Sequence, residues 1–145
     1  MRLQRLLGAV VLAASTLFAS ACAINRASGG AEPDANLTAI KTVHVVHAKE
    51  DGRNINELIT QQLTQMGFVA TTSADKRKDV DANMTYVDRW MWDLTMYMVE
   101  LTVVLRDESD FPLAKANSLH TSLTRLTPKE MVQEVTTNLF KDVKK

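Results

Sequence analysis

His44 and His47 stand three residues apart, and two imidazoles at short spacing are what a zinc or copper site draws on. The run Thr42-Val43-His44-Val45-Val46-His47-Ala48 reads as a strand, however, and side chains alternate along a strand. His44 and His47 then point to opposite faces and share no ion unless a bulge intervenes. His120, the remaining histidine, falls on a later strand and meets at most one of them. The expectation is no metal and no cofactor. Covalent and acid–base chemistry has as little to draw on. There is no Gly-x-Ser-x-Gly, no phosphate-binding Gly loop and no His-Glu-x-x-His. Glu100 sits mid-strand, flanked in alternation by Met98 and Thr102. Buried, it would be a candidate acid or base; opposite the stripe Tyr97, Val99, Leu101, Val103 and Leu105, it is expected to be solvated.

The densest oddity is aromatic. Tyr86, Trp90, Trp92 and Tyr97 fall within a stretch of 12 residues, salted with Met84, Met91, Met96 and Met98. Tyr86, Trp90 and Trp92 share strand parity and put three rings on one face. Packed under helices, they are core. On an uncovered face they are a recognition surface, because Trp, Tyr and Met are favoured at interfaces. Both faces of this hairpin carry large apolar groups, whereas a sheet covered on one side shows a polar second face. Met91, Met96 and Met98 are therefore the candidate interaction surface.

Cys22 is the single cysteine. It ends a segment with Arg2 and Arg5 as a basic start, an apolar run from Leu6 to Phe18, and Ala19-Ser20-Ala21-Cys22. A spanning helix needs about 20 apolar residues; this run is shorter and reads as a cleaved signal over residues 1–21. The tetrapeptide resembles the lipobox of bacterial lipoproteins, with Ala19 where Leu is usual. An ordinary secretory signal cut at Ala-Ser-Ala or Ala-Cys-Ala is the other reading. By the resemblance, Cys22 carries a diacylglycerol and an N-linked acyl chain such as palmitate, and several chains hold where one holds marginally. A lone thiol in an exported protein has no disulfide partner, and acylation removes it. Ala23 rather than Asp after the Cys favours the outer membrane, by the sorting rule of enteric bacteria.

Removing 21 of the 145 residues leaves 124, enough for one domain. Arg2 and Arg5 leave with the signal, so fifteen basic residues stand against seventeen acidic ones, a net charge of −2. Such a balance argues against nucleic acid, which wants a basic face. Residues 22–36 are small and polar and read as a flexible tether, with ends roughly 20 Å apart as a random coil. The domain is expected over residues 37–145.

Within it, the strand 42–48 leads through a polar loop to a helix with Asn54 as its cap and Glu57 completing a capping box. Ile55, Leu58, Ile59, Leu63 and Met66 form one face. Gly67 ends the helix, and Phe68 folds back onto Leu63. Strands follow over 69–73, 84–92, 95–106 and 113–123. Thr127-Pro128-Lys129-Glu130 then starts a second helix with a Thr cap, Pro at its first position and Glu three after the cap. Its stripe is Met131, Val132, Val135, Leu139 and Val143. The prediction is α+β: one mixed sheet of about five strands in the order β-α-β-β-β-β-α, with two helices on one face. The first helix joins parallel strands, and the last three strands form an antiparallel meander.

The stretch Met84–Met98 resembles the central signature of a family of small uncharacterised bacterial outer-membrane lipoproteins, Tyr-x3-Trp-x-Trp-Asp-x3-Tyr. Tyr86, Trp90, Trp92, Asp93 and Tyr97 match it, as do Gly67 and Phe68 at the end of the first helix. More loosely, the element order is similar to that of lipoproteins that plug outer-membrane machines, such as the small subunit of the lipopolysaccharide translocon. Together these imply a non-enzymatic, periplasm-facing outer-membrane lipoprotein, anchored in the membrane through Cys22, that binds a protein or envelope component through its sheet. The alternative is a small periplasmic hydrolase or ligand-binding domain using Glu100, Asp88 or a histidine.

Overall fold

A computed structural model describes residues 25–143 of the chain. The signal segment, Cys22 and the first residues of the expected tether lie outside the described residues.

Val43 and Val45 are fully buried and belong to a strand, Thr42–Val46. The chain leaves it through a helix, α1 (Ile55–Gln65), and returns in a parallel strand, Val69–Ser73. On the other flank lies Ala82–Asp93, also parallel to the first. Thr95–Arg106 and Pro112–His120 continue antiparallel, as the expected meander. A second helix, α2 (Pro128–Leu139), closes the domain. With an N-terminal strand Asn25–Ala31, the described residues form one mixed sheet of six strands. In chain order these are β1 (Asn25–Ala31), β2 (Thr42–Val46), β3 (Val69–Ser73), β4 (Ala82–Asp93), β5 (Thr95–Arg106) and β6 (Pro112–His120); across the sheet they run β1-β6-β5-β4-β2-β3.

The fold is α+β, with one strand more than expected. Both helices pack on one face and against each other, α1 over β2 and β3, α2 over β1, β5 and β6. Ile55, Ile59 and Leu63 of α1 meet Met131, Val132, Val135 and Leu139 of α2 in one core with Val43, Val45, Met84, Leu101, Val103 and Leu105. Full burial of such a side chain contributes about 1.5–3 kcal/mol, so the two stripes hold the sheet's helix-facing side. No described helix is long and apolar enough to cross a membrane.

The helix ends show where local signals suffice. Thr127 and Glu130 form the capping box, with Pro128 behind the cap. At the end of α1, Phe68 N–H donates to the Leu63 carbonyl at 3.0 Å and Gly67 N–H to that of Thr64 at 3.0 Å. Gly67 has φ 91, which glycine adopts freely. The start of α1 is a correction. Asn54 itself lies at φ 57 and makes no side-chain cap bond. Asp51 caps instead: its Oδ2 accepts from Ile55 N–H at 2.7 Å and Asn56 N–H at 3.3 Å, its Oδ1 from Arg53 N–H at 2.8 Å.

The second correction is the tether. Over residues 25–31 the chain is not a leash but the edge strand β1, paired antiparallel with β6 from Asn25↔His120 to Ala31↔Ala114. Helix α2 crosses close above it. A Cβ on Gly29 would lie 2.6 Å from the Asn138 carbonyl oxygen, whereas one on Gly30 would meet nothing within 4 Å. Gly29 is small because a helix backbone lies on it.

Candidate functional site: the aromatic hairpin

The hairpin β4–β5 carries all five signature residues, and partners from elsewhere hold four of them. Tyr86 is buried under the helices, and its hydroxyl donates to Asp51 Oδ2 at 2.6 Å while accepting from Ala48 N–H at 3.2 Å. Burial, first, and then the Asp51 carboxylate push the phenol's pKa well up, so it stays a donor. Trp90 donates its indole N–H to Asp88 at 2.6 Å, and the Arg53 guanidinium stacks 4.2 Å above its ring. Asp93 accepts from the Ser122 hydroxyl and lies 3.8 Å from Arg125. That same guanidinium sits 4.6 Å over the buried ring of Tyr97. Trp92 is the exception, at 71% exposure.

A β-bulge decides which methionines are core. Arg89 pairs with Glu100, but Trp90 pairs with Met98, leaving Val99 as the extra residue of β5. The bulge reverses the alternation beyond it. Leu101 and Met98 therefore both enter the helix-side core, and Met98 is fully buried. This corrects the expectation that Met98 faces away from the helices. Met91 and Met96 remain 51% and 49% exposed. They flank the turn with Trp92 and Leu94, the latter 87% exposed. Leu94 also has φ 59, a conformation that costs a leucine about 1–2 kcal/mol and that Gly or Asn would adopt more readily.

The histidines are dispersed. His44 is buried in contact with Thr71 Oγ1 at 2.8 Å and Ser73 Oγ at 2.9 Å, with the Asp75 carbonyl at 3.0 Å; burial holds its pKa below the ordinary value. His47 lies beside Asp51, 3.1 Å from its carbonyl. His120 donates through Nδ1 to the Thr124 carbonyl at 2.9 Å, and its Nε2 lies 2.8 Å from Glu134, which also accepts from Ser118. Among the described residues, no three His, Cys, Asp or Glu side chains converge as a metal would need. Glu100 lies on the sheet side away from the helices, bonded to Arg89 at 3.0 Å and to Asn117 at 2.8 Å. It borders a broad polar depression of about 730 Å³ with Arg26, Thr102, Lys115 and Asn117.

The sequence reading brought out Tyr86, Trp90, Trp92 and Asp93 but missed their partners Asp51, Arg53, Ser122 and Arg125. Only Asp51 left a trace: an acid four residues before the first apolar residue of a helix, where a carboxylate can meet free N–H groups.

No protein-family model matches this sequence, and no curated protein matches it either. Among solved structures, the PelC dodecamer from Paraburkholderia phytofirmans is similar with a TM-score of 0.60 at 14% identity, over 80% of this chain and 98% of that one. A PDZ domain protein from Parabacteroides distasonis gives a TM-score of 0.49 at 12% identity, over 77% of this chain and 34% of that one. At 14% identity, the PelC likeness is one of fold alone.

Proposed function

We propose that the chain is a non-enzymatic lipoprotein of the outer membrane, anchored through Cys22 with its domain facing the periplasm, and that it binds a protein or envelope component through the β4–β5 end of its sheet. The membership suggested by the Tyr86–Tyr97 signature is part of this reading. The observation that carries it is the hairpin end. Met91, Trp92, Leu94 and Met96 are all exposed, while Tyr86, Trp90, Asp93 and Tyr97 are occupied in holding the hairpin. Large exposed apolar groups that cluster mark interaction sites. The signal-like segment ending at Cys22 supports the anchor.

Two measurements test it. Cys22→Ala should abolish labelling by radioactive fatty acid and release the domain from membranes; unchanged fractionation of that variant would sink the anchor. Crosslinking in the native envelope then identifies what the hairpin end meets. The dodecameric state named for the similar PelC structure makes self-association worth reading in the same experiment.

A further inference from the structure

We infer that the component bound at the hairpin end is the membrane itself: Trp92 and Leu94 enter the lipid surface that holds the anchor. The inference rests on the lipid-anchor reading and deepens it. Its argument is where the chain enters the fold. Asn25 pairs with His120, and the neighbouring Leu119 pairs with Glu100. Strand β1 therefore begins level with the middle of β5, at the sheet end from which the β4–β5 turn projects.

From Glu100 to Thr95 is five residues, about 15 Å of strand at about 3.4 Å each with one bulge. Cys22 precedes Asn25 by three residues, which reach at most about 10 Å. The anchor is thus confined to the end that carries the turn, and its leash is shorter than the turn's projection. With the acyl chains in the bilayer and the strands standing upright on it, the turn lies a few ångströms deeper than the anchored sulfur. The apolar face of an interfacial amphipathic helix sits about 5–10 Å into the headgroup and acyl boundary, a depth of the same order.

The chemistry of the turn fits that depth. Trp is favoured at the membrane–water boundary. The one acid beside the turn, Asp93, is matched by Arg125 at 3.8 Å and by the Ser122 hydroxyl, so no unpaired carboxylate enters the boundary. Arg89, its side chain 71% exposed, stands farther back and is paired with Glu100 at 3.0 Å, so Glu100 too carries its counter-charge with it. Leu94 makes up the tip in a backbone conformation that favours Gly or Asn; an apolar side chain there serves an apolar surrounding.

The test uses the full chain matured in cells and placed in phosphatidylethanolamine–phosphatidylglycerol vesicles, with or without bromine on the acyl chains near the glycerol. The expected result is quenching of wild-type emission by brominated lipid. The quenching should be absent in Trp92→Phe, which keeps only Trp90, and lost in Leu94→Asp while that protein still floats with the vesicles. A wild type that carries labelled fatty acid and floats, yet emits equally in both vesicles, overturns the inference and leaves the anchor standing. A wild type without fatty acid overturns the anchor, and the inference with it. A photoreactive group at position 94 that captures a protein, or a second copy, instead of lipid in the native envelope also overturns it.

Discussion

Asp51→Ala should be among the most damaging changes outside the apolar core. The side chain has no exposure and accepts from Tyr86, Ile55, Asn56 and Arg53 together. Loss of a helix cap costs about 1 kcal/mol. A buried hydroxyl left without its acceptor, here that of Tyr86, costs about 1–3 kcal/mol. The expected loss is thus about 2–4 kcal/mol, or roughly 6–20 °C in Tm at about 3–5 °C per kcal/mol for a domain of this size. Urea and thermal unfolding of wild type, Asp51→Ala, Tyr86→Phe and the double variant measure it. The double variant should fall short of the summed losses by about 0.5–3 kcal/mol, the range for coupled contacts. An Asp51→Ala protein within about 0.5 kcal/mol of wild type would refute the assignment of the cap.

The pH dependence gives an independent check. Burial alone would raise the Asp51 pKa. The hydrogen bonds from Tyr86, Arg53, Asn56 and Ile55 outweigh it and hold the carboxyl below its ordinary value. A carboxyl depressed in the folded state contributes stability above its unfolded pKa, near 3.9, and loses it as pH falls through the folded one. The advantage of wild type over Asp51→Asn should be level from about pH 7 to 5 and shrink below about pH 4. An advantage that grows on acidification would reverse the sign of this account.

Two further pairs of substitutions probe the corrected regions. Gly29→Ala should cost about 1–3 kcal/mol by forcing a methyl against the Asn138 carbonyl, while Gly30→Ala shifts stability by under about 0.5 kcal/mol; equal melting of the two would mean that α2 yields. Met98→Ser should cost about 2–5 kcal/mol as a truncation in the core and Met96→Ser under about 0.5 kcal/mol, read by urea midpoints; a Met98→Ser loss as small as that of Met96→Ser would restore the unbulged alternation.

What the sequence disclosed follows from how local each cause is. The start of α2 was legible because cap, Pro and Glu fall within Thr127–Glu130 and need nothing else. The end of α1 was legible because Gly67 carries its own positive φ. The start of α1 was not, because its cap arrives from Asp51 through a loop that folds back, and Asn54 looks like the cap while lying at φ 57. Met98 was misplaced because a one-residue bulge reverses the faces of a strand, and Val99 bears no glycine to announce it. Strand β1 was invisible since its partners lie about 90 residues away on β6. Gly29 and Gly30 look alike as letters, yet one is forced by a helix above it and the other faces open space.

The signature itself reads differently once its partners are known. Its spacing places Tyr86, Trp90, Asp93 and Tyr97 at separate levels of one hairpin, and each is held by other side chains: Tyr86 by the α1 cap Asp51, Trp90 by Arg53 and Asp88, Asp93 by Ser122 and Arg125, and Tyr97 by that same Arg125. These ties brace a long hairpin against the body of the domain. The carboxylates that an enzyme reading would recruit are engaged in the same way, Asp88 by the Trp90 indole and Glu100 by Arg89 and Asn117. Trp92 alone in the signature has no such task and stands beside Leu94, exposed. A brace of this length, with one large ring left free at its end, is built to hold that ring at a fixed distance from the sheet. The surface it meets is therefore the question that most narrows the function, and brominated lipid answers it at Trp92.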